Sequence, residues 1–179
     1  MGYLMKTMGE VPEQQYCNQV ARKYLDYLLA AKRAEAIAYI IEEIDNGLPL
    51  RSAYLKIIQP VLYEIGRLWQ VNKIDVAVEH YCSASTQLLM AQLFPYILNR
   101  QSTGYKMIGC CLGSELHEMG MRIVCDFFEH EGWDTYFTGA VTPGSSIIHQ
   151  IEEQSPDLVC FSCTMQFGVH EARDLILQI

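Results

Sequence analysis

From about Glu13 to Leu98 the apolar residues recur at helical spacing, with Tyr24, Leu25, Leu28 and Leu29 forming one stripe and Ile37, Ile40, Ile41 and Ile44 another. The spacing predicts a four-helix bundle. Asn46-Gly47 supplies a C-terminal stop, and Pro49 can open the next helix in its first turn. That third helix runs to about Trp69 with Pro60 inside it, so a kink is expected where the ring removes a backbone bond. Asp75 can cap a fourth helix, which places Glu79 and His80 near its N-terminal end. The polar run Asn99-Arg100-Gln101-Ser102-Thr103-Gly104 then has the composition of a linker.

Beyond the linker the period changes. Tyr105 to Leu112 reads as a buried strand, Glu118 to Glu131 as a helix stopped by Gly132, and Trp133 to Thr138 as a second strand. Thr142-Pro143-Gly144 marks a turn before another helix; Asp157 to Ser162 is a third strand, and a final helix includes His170 to Ile179. Alternating β and α elements call for a parallel, doubly wound sheet. The organisation is therefore a helical bundle over 1–100 followed by an α/β domain over 105–179.

One loop carries chemistry. Glu115-Leu116-His117-Glu118-Met119-Gly120 puts a histidine between a strand and a helix, at the carboxyl end of the strand where α/β sheets bind ligands. That is a metal-ligand position, and Glu115 can hold the imidazole from behind, as carboxylates do for ligating histidines. An ordinary loop histidine beside a helix N-terminus is the other reading of the same six residues.

Bulk properties narrow the classes. Half of the 179 residues are hydrophobic and 19% are charged, which suits one or two domains with real cores. No run of about 18 uncharged apolar residues appears, and Met1-Gly2-Tyr3-Leu4-Met5-Lys6 lacks a signal-peptide core, so a cytoplasmic protein without membrane contact is expected. Seven cysteines without a secretion signal argue for reduced thiols. Cys160-Phe161-Ser162-Cys163 spells C-x-x-C, but at the end of a strand and without a second pair; burial as small hydrophobes is the competing reading. The net charge of -8 speaks against direct nucleic-acid binding by this chain. No P-loop, H-E-x-x-H or serine elbow is present, so binding and signalling are expected rather than catalysis.

A second signal lies upstream. Trp69 is followed after nine residues by Glu79-His80, and together with the E-x-H-x-x-G loop this resembles the cobalamin-binding photoreceptors and sensors of the CarH type. The resemblance implies a flavodoxin-like (Rossmann-like) cobalamin-binding domain after the bundle, with adenosylcobalamin held between the two. It implies His117 as the lower axial ligand of cobalt, with Glu115 and Gly120 in the same loop. It also implies that Trp69 covers a 5′-deoxyadenosyl group that Glu79 and His80 contact. The displaced benzimidazole would then meet the segment Ser162-Cys163-Thr164, where Ser162 can hydrogen-bond it and Thr164 replaces a leucine of the family pattern. Ser162 as a helix N-cap, and Trp69 as a core residue beside a solvated Glu79-His80 turn, are the plainer alternatives.

In the family, light removes the upper ligand and the change in domain arrangement alters oligomerisation. A homo-oligomer, or an effector domain or protein, is therefore the implied partner. Several relatives carry a histidine directly after the Trp; this chain has Gln70, so a bis-histidine photoproduct through that position is not expected, although His80 could move in. Some relatives house a bilin beside the cobalamin, and eleven tyrosines would permit an aromatic pocket for one. The family domain has five strands in order 2-1-3-4-5 and this chain supplies three, so the α/β domain is expected to be incomplete at its C-terminus. The few residues ahead of Glu13 leave no room for a helix-turn-helix, which makes the expected output indirect. Two other classes fit the loop: a corrinoid methyl carrier of a methyltransferase system, and a haem- or bilin-binding sensor of related fold.

Overall fold

The helically spaced apolar residues of the first half fall on four helical stretches. The computed structural model describes residues 13–98, 101–164, 166 and 168–179; the N-terminal hexapeptide read above and the linker residues Asn99 and Arg100 lie outside them. α1 (Glu13–Leu29) buries Cys17, Val20, Tyr24 and Leu28, one face at three- and four-residue spacing, and α2 (Arg33–Asp45) buries Ala36, Ile37 and Ile40. α3 (Leu50–Ser52), a π-helical segment (Ala53–Ile58) and α4 (Gln59–Gln70) run on without a break. The bend expected at Pro60 takes the form of that π segment: the Gln59 N–H reaches back to the Tyr54 carbonyl, and the wider turn makes room for the ring.

α5 (Val76–Ile97) opens as the sequence predicts, with the Val78 N–H donating to Asp75 Oδ1 at 3.0 Å. Its polar interior residues are satisfied. Thr86 Oγ1 donates to the Cys82 carbonyl at 2.9 Å and Tyr24 Oη lies 3.0 Å from Thr86 Oγ1, so the phenol is the donor. The two compact units of the chain meet in sequence between Gln92 and Leu93, inside α5.

In the second unit β1 (Lys106–Cys111) lies between β2 (Asp134–Phe137) and β3 (Leu158–Ser162), both parallel to it, in order β2-β1-β3. The connecting helices are α6 (Met119–His130) and α7 (Gly144–Gln154), and α8 (Gly168–Ile176) follows β3. α8 ends three residues short of the stretch read from the sequence. Side chains of β1 alternate between two cores. Met107 and Cys111 pack with Met121 and Cys125 of α6, whereas Ile108 and Cys110, with Leu112 just beyond the strand, pack with Ile147 of α7 and Leu175 of α8. The sheet is thus covered on both faces, and the loops after its three strands gather at one edge. Among the described residues no helix is long and apolar enough to cross a membrane.

Candidate functional site

β1 delivers the E-x-H-x-x-G loop to the carboxyl edge of the sheet. Glu115 is 5% exposed there, and a buried carboxylate needs partners. Its Oε1 accepts the His117 backbone N–H at 2.8 Å and meets His117 Nδ1 at 2.5 Å, while Oε2 accepts the Thr164 N–H at 2.6 Å. Burial alone would raise this carboxyl; the N–H groups of His117 and Thr164 overcome it and lower it to about 2. Facing an ionised Glu115, Nδ1 of His117 is the donor, and in the neutral imidazole the lone pair then lies on Nε2.

The His117 side chain is 68% exposed, so Nε2 is open to a ligand. Among the described residues no group of three or more His, Cys, Asp or Glu is arranged to hold a metal ion. One imidazole backed by a carboxylate can therefore supply a single coordination position to a metal whose other ligands come with it. Gly120 lies in the first turn of α6, and a Cβ added to it would meet nothing within 4 Å. Neither backbone strain nor internal packing demands glycine there; what its missing side chain leaves is open space beside the loop.

The other sequence-predicted residues fall in two places. Ser162 ends β3, pairs in register with Cys111 and lies six positions ahead of α8, so it is not the helix N-cap that the plainer reading allowed. Thr164 follows it and reaches the site through its backbone rather than its side chain. Trp69, Glu79 and His80 belong to the helical unit. Trp69 is 46% exposed at the end of α4, not buried in a core. In the first turn of α5, Glu79 meets His80 Nδ1 at 2.5 Å and accepts from Ser83 Oγ at 2.7 Å, with the His80 side chain largely exposed.

Cys160, half of the C-x-x-C pair, packs against the core formed by Met107, Cys111, Met121 and Cys125. Burial pushes the Cys111 thiol up to about 11 and Cys125 up to about 12, so these cysteines are neutral packing groups near pH 7.

Sequence reasoning missed Glu118 and Val141. The Ala140 N–H donates to Glu118 Oε2 at 3.0 Å and the Val141 N–H approaches the Glu115 carbonyl at 3.4 Å, so the loop between β2 and α7 hangs from the histidine loop. Glu118 was visible only as an unspecified position of the motif, and nothing near Val141 in sequence signals its backbone conformation.

Two family models, each described as a B12 binding domain, match this chain over residues 20–93 and 105–178. Two Myxococcus xanthus proteins resemble it: the HTH-type transcriptional repressor CarH, 23% identical over 89% of this chain and 54% of its own length, and the HTH-type transcriptional repressor CarA, 22% identical over 86% and 51%. The chain thus spans about half the length of these curated relatives. Among solved structures, the monomethylamine corrinoid protein of Methanosarcina barkeri is similar with a TM-score of 0.78 at 14% identity, covering 90% of this chain and 77% of that one. At that identity the likeness is one of fold.

Proposed function

The chain belongs to the B12-binding family, in the two-part arrangement of CarH-type cobalamin-binding proteins, and we propose that it is a sensor module with His117 as the lower axial ligand of cobalt. The Glu115–His117 couple carries the cobalt-ligand part of the reading. Its donor set fits a corrinoid, which brings four equatorial nitrogens of its own and asks the protein only for axial ligation and surroundings. When bound, this cofactor supplies a cobalt centre whose upper ligand can be exchanged or removed by light.

The chain's own residues do the rest. Glu115 fixes the tautomer of His117 and aims Nε2 outward; its contact with the Thr164 N–H ties that aim to the end of β3. Gly120 keeps the space beside the loop clear, and Ser162 stands at the strand end where a displaced benzimidazole would be received. By the resemblance to CarH-type sensors, the exposed Trp69 would be the aromatic plate for an upper adenosyl group, and Glu79 and His80 its polar contacts. The light-driven form of the reading is supported by the Trp69 to Glu79-His80 spacing shared with CarH-type sensors. Its output would be a change of oligomeric state or of contact with an effector.

A corrinoid methyl carrier is the second reading, because the same Glu115–His117 couple would serve a methyl-bearing cobalt equally well. One experiment separates them: an absorption spectrum of the protein loaded with adenosylcobalamin in the dark, repeated after green illumination, beside the same measurement with methylcobalamin. Retention of the adenosyl form with a stable, protein-dependent light change is the expected result, and Trp69→Ala should release adenosylcobalamin faster while keeping the His117 signature. Preference for methylcobalamin without such a response would favour the carrier, and failure to bind either would remove both.

A further inference from the structure

We propose that Glu118 and Val141 form a second part of the lower cofactor surface: Glu118 fixes the loop between β2 and α7 so that Val141 holds an apolar side chain beside the histidine loop, where it would meet a bound corrin. The inference rests on the cobalamin reading above and deepens it.

Three observations converge on this loop. The first is backbone strain. Val141 sits at φ +55°, in the left-handed region that a β-branched residue avoids and that glycine or asparagine occupies at lower cost. A surface turn with no other duty has no physical reason to keep valine there, and strain held in place by its surroundings marks functional loops.

The second is how the strain is held. Around Val141 the loop is fastened almost residue by residue: the Ala140 N–H to Glu118 Oε2 at 3.0 Å, the Val141 N–H toward the Glu115 carbonyl at 3.4 Å, and Thr142 Oγ1 to the Thr138 carbonyl at 3.2 Å. Thr142 also bridges to Leu112 beyond the end of β1. Two of these anchors, Glu115 and Glu118, flank His117 in sequence. Glu118 occupies the N-cap position of α6 yet makes no side-chain capping bond; its carboxylate goes to the neighbouring loop instead.

The third is exposure. Val141 is 52% exposed and Leu116, beside His117, is 73% exposed. Single exposed apolar side chains are ordinary. Two of them, on loops joined at the Glu115 carbonyl and next to the exposed His117, offer apolar surface suited to a flat macrocycle rather than to an ion.

The test uses Val141→Asn, which suits the left-handed backbone and removes the apolar contact, and Glu118→Ala beside Glu118→Gln, which keeps an oxygen acceptor. Without cobalamin, the thermal midpoint and the hydrogen-exchange protection of the Ala140 amide are measured; with hydroxocobalamin and adenosylcobalamin, the dissociation constant is measured by absorbance titration. Val141→Asn should leave the midpoint unchanged or higher while weakening cobalamin binding roughly 3- to 10-fold, the loss of one small apolar contact. Glu118→Ala should lower Ala140 protection by about tenfold and weaken binding, with Glu118→Gln restoring both. Unchanged binding by Val141→Asn, or unchanged Ala140 protection in Glu118→Ala, overturns the inference. If the unsubstituted protein binds no cobalamin, the cobalamin reading itself fails and the Val141 contact with it, whereas the exchange data still decide the Glu118 clamp.

Discussion

Glu115 Oε2 and the Thr164 N–H, 49 residues apart in sequence, meet at 2.6 Å and join the loop after β1 to the chain leaving β3. Both oxygens of this buried carboxylate are in use, so its removal strands two backbone N–H groups as well as the His117 ring. Glu115→Ala should therefore cost about 1–3 kcal/mol of stability in the cofactor-free protein, measured by urea unfolding. A midpoint equal to that of the unsubstituted protein would mean that water replaces these bonds freely and that Glu115 is not what holds the loop.

Removing the ring itself should act differently. Since the His117 side chain is largely exposed, His117→Ala is expected to change stability by no more than about 0.5 kcal/mol while abolishing histidine-on ligation in the absorption spectrum of the cobalamin-loaded protein. A variant whose loaded spectrum matched the original would show that another group holds cobalt.

At alkaline pH the helical unit has its own weak point. Burial raises the Tyr24 phenol well above its usual value of 10, and the Cys82 thiol adds to this, while the bond to Thr86 opposes it. The folded protein thus keeps the proton that the unfolded chain gives up. Stability from this group is fully present below about pH 10 and falls as pH rises beyond it. Urea midpoints from about pH 8 to pH 11 should show the decline, and Tyr24→Phe should make it shallower at a cost of about 1 kcal/mol near neutrality. An equally steep decline in the variant would assign the effect to other buried groups, the raised thiols of Cys82, Cys111 and Cys125 among them.

Close packing beneath α6 gives a steric test. A Cβ at Gly109, in the middle of β1, would lie 2.4 Å from Cys125 Sγ and 3.1 Å from Met121 Sδ. Gly109→Ala should lose about 1–3 kcal/mol through overpacking, and adding Cys125→Ala should recover part of it because the nearest atom is gone. Strictly additive effects in the double variant would show that the strand shifts instead.

How far the site was legible depends on how local its parts are. The position of His117 followed from a strand ending near Leu112 and a helix beginning near Glu118, and its pairing with Glu115 from two-residue proximity. Asp75 as the cap of α5 was legible for the same reason, since a cap and the N–H it accepts lie within one turn. Pro60 announced a disturbance without its form; a π segment and a simple kink relieve the same clash, and which one appears depends on what the surrounding helices pack against Tyr54, Ile57 and Ile58. Ser162 shows the opposite limit, because a serine ahead of a helix looks like a cap until the strand is seen to end on it.

The sequence by itself determined the helical bundle, the alternation that makes a parallel three-stranded sheet, and the histidine at its carboxyl edge, because periodicity, turn chemistry and strand-end geometry act over a few residues. Only the tertiary structure decided that Thr164 completes the shell of Glu115, that Glu118 serves the loop after β2 rather than its own helix, and that Val141 is held in a left-handed conformation. Those contacts join residues separated by 22 to 49 positions, and a chain brings such distant partners to hydrogen-bonding distance only once the order β2-β1-β3 has gathered three loops at one edge.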